Sequence, residues 1–84
     1  MQDTVLLSQI PEDHPKKHAI ERAVKDAFER LPGAWKVVIR RAEPRSFWWG
    51  FLEVDGPKRF RRVIVLKNPD EVPLWVEHDF AMSV

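Results

Sequence analysis

The sequence predicts an α+β fold of two layers, in which one amphipathic helix packs on an antiparallel β-meander of three to five strands. Two observations lead to this prediction. Residues 15–31 carry apolar side chains at helical spacing, whereas 35–42, 47–54 and 59–67 are rich in Val, Ile, Phe and Trp, which favour strands. Because the connections between these three segments are short, we expect consecutive strands to pair in an antiparallel way.

The predicted helix is the clearest element of the chain. Its apolar residues recur every three or four positions, which places them in one stripe along a helix. Pro15 suits the first helical turn, where its missing N–H is not needed, and Pro32 with Gly33 ends the helix. The stripe comprises Ala19, Ile20, Ala23, Val24, Ala27, Phe28 and Leu31.

The strands are delimited by turn-forming residues. Residues 4–10 form a short β-favouring run that we expect to be an edge strand. The sequence Asp55-Gly56-Pro57 ends the second of the three central strands, and Asn68-Pro69-Asp70 ends the third. Residues 73–82 stay ambiguous, since apolar side chains alternate there as in a strand, whereas Pro73 is equally suited to open a short helix.

Length and composition limit the possible classes of protein. The 84 residues predict a single domain covering positions 1–84. Without cysteine, the chain has no disulfide and no thiolate nucleophile or metal ligand. The amino-terminal residues lack the pattern of a signal peptide, and no apolar run approaches the ~20 residues of a membrane span. We therefore expect a cytoplasmic protein that does not bind membranes.

The predicted sheet is apolar at its centre on both faces. In the strand 47–54, Trp48 lies on one face, and Phe47, Trp49 and Phe51 lie on the other. One helix covers only one face of a sheet. The second face is therefore expected to be covered by the chain's own termini, by a second copy of the chain, or by a partner protein.

Aromatic and arginine side chains are the candidate contact residues. Trp and Arg dominate the hot spots of protein interfaces. The basic clusters near residues 40–45 and 58–62 lie at the ends of predicted neighbouring strands, where they can merge into one positive patch. The predicted partner-binding residues are Phe47, Trp49 and Phe51 as anchors, with Arg40, Arg45, Arg59 and Arg61 as charged hydrogen-bond donors.

Two other functions use the same residues. In a nucleic-acid-binding module, the arginines would hold phosphates and the aromatic rings would stack on unpaired bases, although the sequence contains neither an RNP signature nor a zinc-finger spacing. In a dimeric structural or accessory protein, the second sheet face would be buried against its own copy. Both alternatives stay open at this point.

Catalytic signatures are missing from the sequence. It contains no Gly-rich phosphate loop and no nucleophile–base arrangement. His14 and His18 are four residues apart, which suits metal binding on a helix, but no third ligand lies nearby. We therefore expect no enzymatic activity, no catalytic residue, no metal and no cofactor.

The overall profile resembles that of small phage-encoded inhibitor proteins, including anti-CRISPR proteins. The shared features are size, the lack of cysteine, a compact mixed fold and the lack of catalytic residues. Because these features include no motif, the resemblance assigns no role to any residue. It implies a protein that acts in the host cytoplasm, where it docks on a CRISPR effector subunit or another nucleoprotein complex and inhibits it by steric or conformational means.

Overall fold

The structure, a computed structural model, describes residues 4–79. The chain places its first helix between two neighbouring strands and its second helix after three consecutive strands. In chain order the elements are β1 (Thr4–Ser8), α1 (Lys17–Glu29), β2 (Trp35–Arg41), β3 (Gly50–Asp55), β4 (Arg61–Leu66), a 3-10 turn (Pro69–Glu71) and α2 (Val72–Asp79).

The four strands form one sheet in the order β1-β2-β3-β4. The predicted α+β class is confirmed, but the prediction of a purely antiparallel sheet is wrong because β1 pairs with β2 in parallel. Strands β2, β3 and β4 form the predicted antiparallel meander. The physical reason is the connection: a helix between two strands returns the chain to the starting edge of the sheet, so both strands run in the same direction.

The prediction of a single helix is also incomplete, since Val72–Asp79 forms a second one. The 3-10 turn that leads into this helix is capped by Asn68, whose side chain accepts a hydrogen bond from the Asp70 N–H at 2.9 Å. Pro69 occupies the first position of the turn. Val72 and Val76, one helical turn apart, are buried. The ambiguous segment 73–82 is therefore helical as far as it is described, and residues 80–82 lie outside the described part.

Both helices pack on the same face of the sheet. Helix α1 contributes three buried apolar residues at helical spacing, and each of the three strands of the meander contributes two alternate residues. Together with buried residues of α2 and the connections, they form one apolar cluster. Its members are Ile10, Ile20, Val24, Phe28, Leu31, Val37, Ile39, Leu52, Val54, Ile64, Leu66, Val72 and Val76.

The start of α1 is fixed by a buried lysine. The Lys17 Nζ donates a hydrogen bond to the Ile10 carbonyl oxygen at 2.8 Å and lies 3.2 Å from Glu12 and 3.4 Å from Glu21. Burial by itself lowers the pKa of Lys17, but the two carboxylates raise it more, so the pKa lies above its ordinary value of 10.5. This contact ties the end of the β1 segment to the first turn of the helix.

The β3–β4 hairpin closes through a strained turn. Lys58 and Arg59 both have positive φ angles, 59° and 63°, and the Phe60 N–H donates to the Pro57 carbonyl oxygen at 3.2 Å. Two consecutive left-handed residues match the twist of a hairpin, but Asn and Gly are the residues that favour this geometry. A basic pair at these positions therefore costs conformational energy, on the order of 1 kcal/mol per residue.

Relief of this strain gives a testable stability change. We expect Arg59→Gly to raise the free energy of unfolding by about 0.5–1 kcal/mol, since glycine adopts positive φ without steric cost but loses more chain entropy on folding. Urea unfolding followed by tryptophan fluorescence measures the change. Arg45→Gly is the matched control, because Arg45 is exposed without a positive φ angle and its replacement should lower stability. Equal changes in the free energy of unfolding of both variants would contradict backbone strain at Arg59.

Candidate functional site

One face of the sheet is not covered by any element within residues 4–79. Its side chains alternate with those of the buried cluster, and we call this surface the open face. In the central row, Leu7, Val38, Glu53 and Val63 are lateral neighbours on successive strands. The open face comprises Val5, Leu7, Lys36, Val38, Arg40, Phe51, Glu53, Asp55, Arg61, Val63 and Val65.

The predicted covering of this face by the chain's own termini does not occur in the described part. The amino-terminal segment joins the sheet as β1, which leaves Val5 and Leu7 about half exposed on the open face. At the other end, Val72 and Val76 of α2 join the core on the helical side. The open face therefore exposes apolar side chains on its two outer strands, β1 and β4.

A charged network crosses the open face. The Glu53 carboxylate accepts from the Arg40 Nε at 2.5 Å, and its other oxygen lies 3.8 Å from the Arg61 guanidinium. Arg61 also lies 3.9 Å from Asp55. The arginine side chains are at least half exposed, so these ion pairs contribute little stability individually. Their effect is to compensate charge in the middle of an otherwise apolar surface.

The aromatic segment before β3 is not part of the strand, contrary to the prediction for 47–54. Strand β3 begins at Gly50, directly after Trp49. The Trp49 N–H donates to the Leu66 carbonyl oxygen, and the Ala42 N–H donates to the Trp49 carbonyl oxygen, both at 2.9 Å. Trp49 is half-buried against the core, whereas Trp48 is 38% exposed. The prediction placed these two tryptophans on opposite faces of a strand and named Trp49 as a candidate anchor, but strand alternation does not apply to residues outside the strand.

Trp48 forms one wall of a groove beside the end of β4. The groove has a volume of about 500 Å³, and Trp75 and Leu74 of α2 line its other side. Phe47, which is 84% exposed, meets the Trp48 ring edge-on with 5.0 Å between ring centroids. The Trp75 Nε1 donates to the Glu71 carboxylate at 3.4 Å. This apolar groove continues the open face around the edge of the sheet, since Val65 belongs to both.

The predicted contact residues are not brought together in one place. Arg40, Arg61 and Phe51 lie on the open face, Phe47 lies in the exposed loop before β3, and Trp49 packs against the core. The basic clusters meet through Arg40 and Arg61, which both contact the Glu53 carboxylate. Otherwise they stay apart, because β3 lies between β2 and β4 and the register places Arg41 and Arg61 at opposite ends of β3. Five residues of strand separate these ends, roughly 17 Å. Arg45 and Arg59 are exposed in the loops at the two ends.

Sequence patterns missed several residues of this surface. Trp48 was placed on the face opposite Trp49 by alternation and was not among the predicted contact residues, and Leu74 and Trp75 belong to a helix that the sequence left undecided. Val63 and Val65 were visible as the alternate positions of β4, which is the signal that could have identified them. Among residues 4–79, no group of three or more His, Cys, Asp or Glu side chains is placed to hold a metal ion.

Comparisons with known proteins do not indicate a function, so a functional conclusion depends on the geometry of the site. No protein-family model, curated protein or solved structure matches the chain. Within the described residues, neither helix is long and apolar enough to cross a membrane.

Proposed function

We propose that this chain is a small, non-catalytic module that binds a partner protein through the open face of its sheet. The observation that carries the proposal is the exposure of four apolar side chains on this face, each at least 40% exposed: Val5 and Leu7 on β1, and Val63 and Val65 on β4. No element of the described part covers them, and apolar side chains grouped on one uncovered face of a small protein indicate an interaction site.

The groove next to this face supports the same function. Exposed tryptophan side chains are among the strongest anchors in protein interfaces, and Trp48 and Trp75 both line the groove. Phe47 adds a third aromatic ring at its border. A partner seated on the open face would therefore find aromatic anchors at its edge.

Charge distribution favours a protein partner over nucleic acid. Arg40 is already closely paired with the Glu53 carboxylate, with which a phosphate would have to compete. The loop residues Arg45 and Arg59 lie at opposite ends of the sheet. A nucleic-acid backbone requires a continuous positive track, and the carboxylates of Glu53 and Asp55 interrupt it.

Site-specific photo-crosslinking tests the proposed function. A photo-reactive amino acid is placed in the open face at the position of Leu7 or Lys36, and at Ala19 on the exposed side of α1 as the control. We expect both open-face positions to crosslink to the same protein in the cells that express the chain, and the α1 position not to do so. Crosslinks to nucleic acid alone, to a second copy of the chain, or equally from all three positions would contradict the proposal.

Binding to the identified protein then gives a quantitative measure. We expect the double variant Leu7→Glu/Lys36→Glu to weaken affinity by about tenfold or more, because two interface positions acquire buried carboxylates. Ala19→Glu/Lys25→Glu introduces the same change of charge on α1 and should bind as the unmodified chain does. Equal loss in both variants would indicate a general effect of net charge.

A CRISPR effector or similar nucleoprotein complex is the specific partner suggested by the resemblance in size and composition. Under this form of the proposal, the purified chain inhibits target cleavage by a guide-loaded effector. Inhibition would be lost in Leu7→Glu/Lys36→Glu and retained in Ala19→Glu/Lys25→Glu. Unchanged cleavage in the presence of excess chain would exclude the effector tested as the partner.

A further inference from the structure

We infer that the outer edge of β4 binds an extended segment of a partner protein as an added β-strand, whose side chains alternate between apolar and polar and whose end carries acidic residues. This inference rests on the proposed function, and it specifies the shape and the chemistry of the partner. The added strand would extend the sheet beyond β4 and make the open face one strand wider.

The backbone of β4 is arranged for such an addition. Strand β4 is an edge strand of the sheet that the described residues form. The Gly56 N–H donates to the Phe60 carbonyl oxygen at 2.9 Å, which marks this position as a hydrogen-bonded pair of the ladder. Since hydrogen-bonded residues alternate along an antiparallel strand, Arg62 and Ile64 direct their backbone groups toward β3. The intervening Arg61, Val63 and Val65 direct theirs toward the outer edge.

The usable edge has a defined length. At one end, the Lys67 N–H is bonded to the Glu71 side chain at 3.4 Å, and the chain then turns into α2. At the other end lies the strained turn of Lys58 and Arg59. The edge between them spans positions 61–65, roughly 17 Å, which matches the length of an ordinary short strand.

Apolar side chains accompany this edge on the open face. Val63 is 51% exposed and Val65 is 40% exposed, and both lie on the edge strand β4. Just beyond Val65, the groove between Trp48 and Trp75 provides room for one larger side chain. In strand addition the backbone hydrogen bonds supply affinity and such pockets read alternate side chains. An apolar residue of the partner opposite Val65 is therefore expected to enter the groove.

Charge favours an acidic partner strand over a second copy as the occupant. In one register of antiparallel self-pairing of β4, Arg61 would lie opposite Lys67, and like charges in such positions repel. A carboxylate of a partner would instead meet the exposed Arg61, whose contacts to Glu53 and Asp55 are long, at 3.8 and 3.9 Å. The basic turn at Lys58 and Arg59 adds positive charge at the same end.

Selection from a random nonapeptide library displayed on phage tests this inference with the unmodified chain as bait. We expect the enriched peptides to alternate apolar and polar residues and to carry Asp or Glu. Amide hydrogen exchange then locates the binding site of an enriched peptide after its synthesis. The amides of Arg61, Val63 and Val65 should exchange quickly in the free chain and slowly in the complex, while the amide of Ile64 is protected in both. No enrichment, enrichment of basic peptides, or unchanged exchange at these three amides would overturn the inference.

Two variants separate the backbone contribution from the side chains. Val63→Pro removes an outward N–H without touching the β3 ladder, and should weaken peptide binding about tenfold. Val63→Thr keeps that N–H and serves as the matched control. Arg61→Gln should weaken acidic peptides about two- to fivefold and leave neutral ones unchanged. If Val63→Pro does not fold, hydrogen exchange and Arg61→Gln still decide the result.

The failure of this inference is distinguishable from failure of the proposed function. Crosslinks from Leu7 and Lys36 to a partner, together with unchanged partner binding by Val63→Pro, would reject strand addition and retain docking on the open face. Loss of both results would reject both. Amides of Arg61, Val63 and Val65 that are already protected in a dimeric free chain would identify a second copy as the occupant and overturn the inference.

Discussion

Truncation of Phe28 to alanine is expected to lower the free energy of unfolding by about 3–5 kcal/mol. Phe28 is fully buried in the last turn of α1, and its ring lies 5.3 Å from that of Trp35 at the start of β2. The substitution removes a large apolar side chain and leaves a cavity between helix and sheet. Small domains have free energies of unfolding near the lower end of the 5–15 kcal/mol range. The variant would therefore keep only about 0–2 kcal/mol, and a measurable fraction of its molecules should be unfolded at room temperature.

Urea unfolding and near-ultraviolet circular dichroism measure this effect. Phe60→Ala is the matched control, because the Phe60 ring also contacts Trp35, at 5.6 Å, but is 39% exposed. We expect its loss to be clearly smaller, since less apolar surface returns to water. A larger effect at Phe60 than at Phe28 would place the centre of the core at the hairpin end of the sheet and contradict the packing of α1.

Replacement of Gly50 with alanine is expected to be similarly damaging, at about 3 kcal/mol, the upper end of the cost of overpacking. A Cβ atom on Gly50 would overlap the carbonyl oxygen of Arg40 on the adjacent strand. Backbone atoms of a paired strand cannot move aside without disruption of the β2–β3 ladder, in which Gly50 faces Arg41. The variant should also disturb the loop that presents Trp48.

Gly56→Ala is the matched control for this prediction. Its added Cβ would approach the Trp35 ring at 2.5 Å, so the neighbour is a side chain and not a backbone group. The Trp35 ring would have to shift, but the β2–β3 ladder can stay paired, and the expected loss in the free energy of unfolding is therefore smaller than for Gly50→Ala. Thermal and urea unfolding of the two variants compare them directly. Equal losses would indicate that the β2–β3 ladder tolerates displacement at Gly50.

The charged network on the open face has a second consequence for a protein with exposed apolar strands. Edge and face positions rich in Val and Phe invite non-specific association of sheets. Arg40 and Glu53 place charge in the middle of this surface, while Lys36 adds an exposed cation on the same face. A specific partner has to complement these charges, which discriminates it from other apolar surfaces.

Local sequence patterns were sufficient to place most elements. The helix runs over Lys17–Glu29, inside the predicted range 15–31, because its apolar stripe and its flanking prolines are local features. Strands β1, β2 and β4 begin or end one or two residues inside their predicted ranges. Phe51 and Val63 were assignable to one face of the sheet by alternation.

The remaining features depend on distant parts of the chain. Whether β1 pairs in parallel is decided by the crossover through α1, and no residue within β1 encodes it. Helix α2 forms because Val72 and Val76 find the core between α1 and the sheet, a contact that outweighs the alternation of apolar residues in this segment.

The sequence by itself determined the α+β class, the amphipathic helix, the antiparallel meander and the excess of apolar residues over what one helix can cover. Only the tertiary structure decided which tryptophan is exposed. Trp49 is held by backbone hydrogen bonds to Ala42 and Leu66, β3 starts at Gly50, three residues later than predicted, and Trp48 lines the groove. The physical reason is that alternation assigns faces only within a paired strand, and pairing is a property of the neighbouring strands.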